Sequence, residues 1–326
     1  MKLFHRRPFL RLAAAAATLP TASRFARAQT YPSRPVRLIV PVAAGGSLDI
    51  VARLTGQWLS ERLGQPFIIE NRPGAGGLLG TEAVVNAPPD GSTLLMLSSA
   101  NTMGATLSKN NFDIFTRDIS PIGGIVRVPN VMEVNLSVPA ETVPEFIAYA
   151  KKNPGKVNMA SAGLGTTGHM NGELFKMMTG IDMLHVPYRG GGPAIADLIG
   201  GQVQLLFDPL PSSIEYIKGG KVRALAVTSA MRSEALPDIS TVNEFVPGYE
   251  AYFWVGVGSP KGLSAEIVET LNRQINASLF DPKFKARLAD LGGSVLPGSP
   301  AEFGKLVADE TEKWAKVVKF AGIKAD

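Results

Sequence analysis

Gly163-Leu-Gly-Thr-Thr-Gly168 is the stretch whose residue types and spacing most directly suggest chemistry. It spells G-x-G-x-x-G, a dinucleotide pattern, and is also a G-x-x-x-x-G that lacks only the Lys of a phosphate-binding loop. A dinucleotide site needs an acidic residue about 20 residues on, at the far end of the next strand, to hold the ribose hydroxyls. Asp182 has that separation, but it precedes the next strand-like run, Met183 to Val186, whose far end offers Tyr188 and Arg189. An Arg there suits a 2′-phosphate, so the nicotinamide reading is weakened and kept as the alternative: an exported enzyme with a nucleotide cofactor at Gly163–Gly168. The phosphate-loop reading fails, because His169 and Met170 stand where a Lys and a magnesium-binding hydroxyl are required.

Other catalytic constellations are sparse. Cysteine is absent, which removes thiol catalysis, disulfides and thiolate-bound metal together. Ser161 lacks the Gly two residues before it that a nucleophile elbow requires, since Asn158-Met159-Ala160 precede it. His185 sits mid-strand between Leu184 and Val186 and reads as structural. His169 falls at a helix start, where the helix dipole favours neutral imidazole, making it a hydrogen-bonding pocket group and a poor metal ligand by itself. Asp49 and Asp208 each read equally as pocket groups or as a first-turn helix acid and a turn former before Pro209.

The elements that would position these residues alternate in type. Val36 to Pro41, Phe67 to Glu70 and Thr93 to Leu97 are strand-like; Asp49 to Leu63 and Leu78 to Asn86 are helix-like. A long extended piece, 126–135, is interrupted by Pro129. A second series then repeats the order: helix 144–153, strand 157–160, helix 169–178, strand 183–186, helix 194–199, strand 203–207, helix 212–218 and strand 223–228. Strand 252–257 and three helical stretches, of which 264–279 and 301–320 are clearest, finish the chain. Alternation of this kind predicts two α/β lobes with largely parallel sheets. Three corners, 42–47, 161–167 and 188–193, share one design of strand, glycines and helix N-terminus. Backbone N–H groups and the helix dipole at such a corner suit an anion, and paired corners in two lobes would share the strand-end edge where ligands sit.

Residues 1–28 read as an export signal: Arg6-Arg7-Pro8-Phe9-Leu10-Arg11, an apolar run from Leu12, and Ala26-Arg27-Ala28 before Gln29. The arginine pair resembles the twin-arginine signal. Cleavage after Ala28 removes six of 33 basic residues and no acid, leaving 27 against 28, so the formal charge falls from +5 to −1. A nucleic-acid or anionic-membrane partner thereby loses its electrostatic support. About 300 remaining residues exceed what one core usually encloses, which also favours two lobes.

Taken together, these residues resemble the substrate-binding proteins of tripartite tricarboxylate transporters, the Bug or TctC-like family. The matching words are 31–36, Pro41 to Asp49 ending Gly-Gly-Ser-x-Asp, Glu70-Asn-Arg-Pro-Gly-Ala-Gly-Gly77, Pro89-Asp-Gly91, Val128-Pro-Asn130, Ala160-Ser-Ala-Gly-x-Gly-Thr166 with His169, His185-Val-Pro-Tyr188, Gly200-Gly-Gln-Val203, Phe207-Asp208 and 223–229. The resemblance implies a type II periplasmic binding protein without catalysis, cofactor or metal. Residues 29–128 and 247–326 would form lobe 1 and 129–246 lobe 2, with crossovers at Pro129 and Pro247-Gly248 serving as hinges. Ala44, Gly45, Gly46, Ser47 and Asp49 would form one wall of a carboxylate site, and Ser161, Gly163, Gly165, Thr166, Thr167 and His169 the other. Ser98 and Asn101 would close the side, and Asp208 would orient water or a polar ligand group. The implied partners are a small carboxylate and the permease subunits of a tripartite transporter, or a sensor protein, met by a monomer. Three departures from the family pattern bear on ligand identity: Ala43-Ala44 where Pro is frequent, Leu78-Leu79 where Asn-Ile is frequent, and Gly168 where a larger residue is usual.

Overall fold

The computed structural model describes residues 31–323 apart from 75–76, 108–114 and 116. The export-signal segment therefore lies outside the described residues. Ten strands form one curled sheet, eight of them in the order β2-β1-β3-β9-β4-β7-β5-β6, with β10 and β8 pairing β4 off that path. The first half comprises β1 (Val36–Val40), β2 (Phe67–Asn71), β3 (Thr93–Ser98), β9 (Tyr252–Pro260) and β10 (Ser294–Val295). The second comprises β5 (Asn158–Ser161), β6 (Leu184–Pro187), β7 (Leu205–Pro209) and β8 (Arg223–Val227). Both are built on the one long strand β4 (Ile119–Val134), which pairs β9 along residues 119–129 and β7 along 130–134.

Pro129 does not interrupt that strand, as the sequence had suggested. It pairs with Tyr252 at the last row shared with β9, and the next residue, Asn130, begins the pairing with β7. Proline supplies no ladder donor, so the row at which a strand changes partners is where one is tolerated. The Asn130 amide at once finds a new acceptor, the Thr228 hydroxyl, at 2.8 Å.

Helices α1 (Ser47–Leu63), α2 (Leu78–Val85) and α3 (Ser99–Leu107) follow β1, β2 and β3. Helices α4 (Val143–Lys152), α5 (Thr167–Thr179), α6 (Gly191–Ile199) and α7 (Leu210–Lys218) serve the second half, and α8 (Ala265–Phe280), α9 (Pro282–Asp290) and α10 (Pro300–Ala321) close the chain. Helix α3, rich in Ser, Thr and Gly, was not foreseen, since its Met103 and Ala105 give too thin an apolar stripe. One buried cluster gathers Val36, Leu38, Leu94, Met96, Val255 and Leu271 under the first half; another gathers Met132, Met159, Phe175, Phe207 and Tyr249 under the second.

Helix α10 belongs to neither half alone. Its Phe303 and Val307 pack with Leu95, Leu97 and Trp254, whereas Trp314, Val317 and Val318 lie in the cluster of the second half. Trp314 is fully buried, and its indole N–H donates to Glu310 Oε2 at 2.8 Å. Replacing Trp314 by Ala should cost about 3–5 kcal/mol. Urea unfolding of the Trp314→Ala protein measures it, and a loss well under 1 kcal/mol would show that the helix end contributes little.

Candidate functional site

The register of β4 brings the strand ends of both halves together. Ser98, the last residue of β3, lies opposite Val255, which lies opposite Val126. Strand β7 runs the other way and ends with Pro209 opposite Asn130. The C-terminal ends of the two sets of parallel strands thus point at each other across four residues of β4, roughly 13 Å at ~3.3 Å per residue. β1 is parallel to β3, β5 is parallel to β7 and β6 to β5, so the corners after β1, β5 and β6 open on the same gap.

At this edge the helix starts share a property. Helices α1, α2, α5, α6 and α7, which follow β1, β2, β5, β6 and β7, have no side-chain N-cap. Helices α4, α8, α9 and α10 start elsewhere and are each capped by a Thr, Ser or Asp side chain. First-turn amides have no acceptor within their own helix, so uncapped starts leave donors for something else. Even Thr166, a good capping type, turns its hydroxyl inward to Gly163 O at 2.8 Å.

The first corner, residues 43–47, is exposed, and a Cβ placed on Gly45 or Gly46 would meet nothing within 4 Å. Gly45 has φ +93°, the left-handed region that only glycine enters cheaply. Its amide donates to Asp49 Oδ2 at 2.9 Å, and Arg53 and Asn71 complete the shell of that carboxylate. Burial by itself raises the Asp49 pKa, but the bonds from Arg53, Gly45 and Asn71 outweigh it and hold the group below the ordinary carboxylate range. Asp49 is only 2% exposed, so it shapes the corner from behind.

The second corner repeats the device. Gly165, φ +72°, donates its amide to His169 Nδ1 at 3.0 Å, again four residues on. Ser161 is buried, accepts from the Gly163 amide at 3.2 Å and lies 2.7 Å from His185 Nε2. The two imidazoles stack with centroids 3.7 Å apart and planes 16° apart. Burial, with positive neighbours, pushes His169 down to about 3 and His185 down to about 4. Not every backbone N–H at these corners is therefore free for an anion. Those of Gly45, Gly163 and Gly165 are used inside the corners, while the first turns of α1 and α5, which open at Ser47 and Thr167, have no side-chain cap. His185, read as structural, is drawn into the second corner by contacts its strand position could not announce.

Gly168 explains its own departure from the family pattern. A Cβ there would stand 2.3 Å from Phe207 O, so α5 can lie this close to β7 only with glycine. Ser98 donates its amide to Asn101 Oδ1 at 2.8 Å, which ties the end of β3 to α3, and Leu107 of α3 reaches to 3.1 Å of a Cβ on Gly165. Asp208 is buried beside the third corner, with Gly191 next to its carboxyl. The Ser213 hydroxyl lies 3.3 Å from Asp208 Oδ2 and 2.8 Å from Glu133 Oε1. Burial lifts Asp208 to about 6; burial and the charge of Asp208 lift Glu133 to about 8. Among the described residues no three His, Asp or Glu side chains are placed to hold a metal ion. A separate recess lined by Tyr31, Arg34, Asp90 and Ile267 lies at the opposite edge, by the N-terminal ends of β1 and β3.

The family profile described as tripartite tricarboxylate transporter family receptor matches residues 51–323. The chain belongs to this receptor family. Rpa4515 of R. palustris, solved with adipate, is 38% identical, with a TM-score of 0.75 over 90% of this chain and 99% of that one. The periplasmic binding protein BugD is 37% identical, with a TM-score of 0.74 over 91% and 100%. MatC (Rpa3494) from Rhodopseudomonas palustris, with bound malate, is 31% identical, with a TM-score of 0.74 over 88% and 100%. The fold is thus the two-lobed, type II α/β architecture of periplasmic solute receptors. The family consists of receptors and not enzymes, which displaces the nucleotide-cofactor alternative at Gly163–Gly168. Among the described residues no helix is long and apolar enough to cross a membrane.

The buried acid pair carries a pH signature. Glu133 keeps its proton up to about pH 8 in the folded chain but loses it near 4.5 when unfolded, so stability falls as pH rises through that window. Glu133→Gln should remove this loss, its melting temperature gaining on wild type from about pH 5 to about pH 8. Thermal unfolding across the range checks this, and parallel curves would refute it.

Proposed function

We propose that this receptor captures a small carboxylate between its lobes and passes it to the permease subunits of a tripartite transporter. The observation that carries the reading is the meeting of two uncapped helix starts, at 46–47 and 166–167, from opposite directions over the midsection of β4. Each start offers first-turn amides and the positive end of a helix dipole, which together favour a carboxylate. Neither corner contains Lys or Arg, so capture rests on amide donors and bridging water in place of an arginine clamp. The adipate and malate held by two relatives support the ligand class.

In this reading the first wall is Ala44, Gly45, Gly46 and Ser47, the second Thr166 and Thr167 with Ser161, Gly163 and Gly165 shaping it. Asp49 and His169 act as braces. Ser98 and Asn101 flank the gap, and Asp208 faces the polar end of a ligand. Residues 29–128 and 247–326 make one lobe and 129–246 the other, with α10 packing on both. Export follows the twin-arginine-like signal, with cleavage after Ala28.

Isothermal titration of ligand-stripped protein against a panel of mono-, di- and tricarboxylates tests the reading; no heat with any acid, from folded protein, would overturn it. Gly46 sits at φ −80° and ψ 170°, a conformation open to any residue, and has clear space around it. Gly46→Leu should therefore melt like wild type while losing about tenfold or more in affinity, because its side chain stands where the carboxylate approaches. Unchanged affinity would remove this corner from the site.

A further inference from the structure

We propose that His185 is a positioning residue for ligand capture: through its hydrogen bond to Ser161 and its stack on His169 it holds the second glycine corner in its amide-presenting shape. The proposal rests on the carboxylate-receptor reading above. His185 opens the family word His185-Val-Pro-Tyr188, but its mid-strand position gives no sign of what it touches.

The geometry is specific. β5 and β6 are parallel, and His185 of β6 pairs with Met159 of β5, two residues before Ser161. From there its Nε2 lies 2.7 Å from Ser161 Oγ. That oxygen also accepts from the Gly163 amide and lies 3.0 Å from Gly163 O. With the shared proton on His185 Nε2, the hydroxyl accepts from His185 and from the Gly163 amide and donates to Gly163 O, so all its hydrogen-bonding capacity is used in bracing the corner. Gly163 O in turn accepts from the Thr166 hydroxyl and, at 3.3 Å, from the Thr166 amide. The chain of contacts thus runs from β6 to the residue at which α5 starts.

The ring stack gives a second path to the same place. His169 accepts the Gly165 amide on Nδ1, which leaves its proton on Nε2, 3.9 Å from Glu173 Oε1. The neighbouring ring covers one face of His169, so removing it would loosen that imidazole while leaving its bond to Gly165 in place. Gly163, with φ +141°, and Gly165, in the left-handed region, have broad conformational freedom of their own, so a corner built on them needs outside bracing. His185 contributes to both braces. The corresponding function in the first corner is filled by Asn71, which reaches across from the end of β2 to Asp49 Oδ1 at 2.9 Å and Val42 O at 3.1 Å. In both corners, then, a side chain from the adjacent parallel strand ties the loop down.

Two substitutions separate the bracket from mere filling of space. His185→Phe keeps a flat ring for stacking and loses the hydrogen bond; His185→Gln keeps a polar nitrogen or oxygen near the position of Nε2 and loses the ring. If the bond to Ser161 positions the corner, His185→Phe should weaken carboxylate binding by about tenfold while His185→Gln stays within about threefold of wild type. A space-filling histidine predicts the reverse order. Melting temperatures of both variants identify any loss that comes from unfolding. Amide exchange at Gly163, Gly165 and Thr166, followed by NMR in the ligand-free protein, reads the corner directly and should accelerate in His185→Phe. Wild-type-like binding and exchange in His185→Phe would overturn the proposal. If the wild type binds no carboxylate, the functional reading fails by itself, and exchange still decides: faster corner amides uphold the bracing part, and unchanged amides end it.

Discussion

A side chain in the first turn of a helix, bonding back to a glycine amide four residues earlier, is the constraint on which the site depends. It occurs twice, as Asp49 to Gly45 and as His169 to Gly165. In each case the glycine has positive φ, and the following residue, Gly46 or Thr166, starts the helix without a side-chain cap. The bond folds the chain tightly enough to satisfy one inner amide and leaves the outer first-turn amides facing away from the protein. The two braces differ in charge. Asp49 is an anion neutralised by Arg53, whereas His169 is a buried neutral imidazole. Neither adds an uncompensated charge where an anionic guest would sit.

The sheet supplies the second requirement, that the two corners oppose each other. One strand, β4, is shared by both halves; β3, on the far side of its partner β9, and β7 run toward the level of its middle from opposite ends. Change of partner at Pro129 and Asn130 makes this possible without leaving the Asn130 backbone amide stranded. Uncapped starts cluster at the converging ends and capped starts lie away from them, so unused hydrogen-bonding capacity is concentrated in one place. That segregation is a stronger sign of a binding site than any one glycine pattern, because a single uncapped helix would find water instead.

Much of this architecture was readable in the sequence because strand and helix periods alternate cleanly from Val36 onward, and because three glycine corners recur between them. The phosphate-loop part of the question raised by Gly163–Gly168 was also answerable from residue types, since His169 and Met170 cannot do the work of Lys and a hydroxyl, whereas the dinucleotide part was settled by the family. What could not be read was contact between residues far apart in the chain. His185 reaches Ser161 only because β5 and β6 pair in one particular register. Gly165 loses its outward amide only because the helix phase carries His169 beneath it. Pro129 reads as a break in any local rule, and its tolerance depends on which strands flank it. Gly168 is a departure from family habit until Phe207 O is seen against it.

Helix α10 has a mechanical implication. It touches the cores of both halves, with Phe303 on one side and Trp314 on the other, while β4 runs through both as a common strand. Two rigid rods spanning a joint leave it fewer ways to flex than a joint crossed by loops alone. Swinging the halves apart would therefore favour rotation that keeps the rods' contacts, a narrow arc rather than free tumbling, so any shutting around a guest would carry a smaller entropic toll.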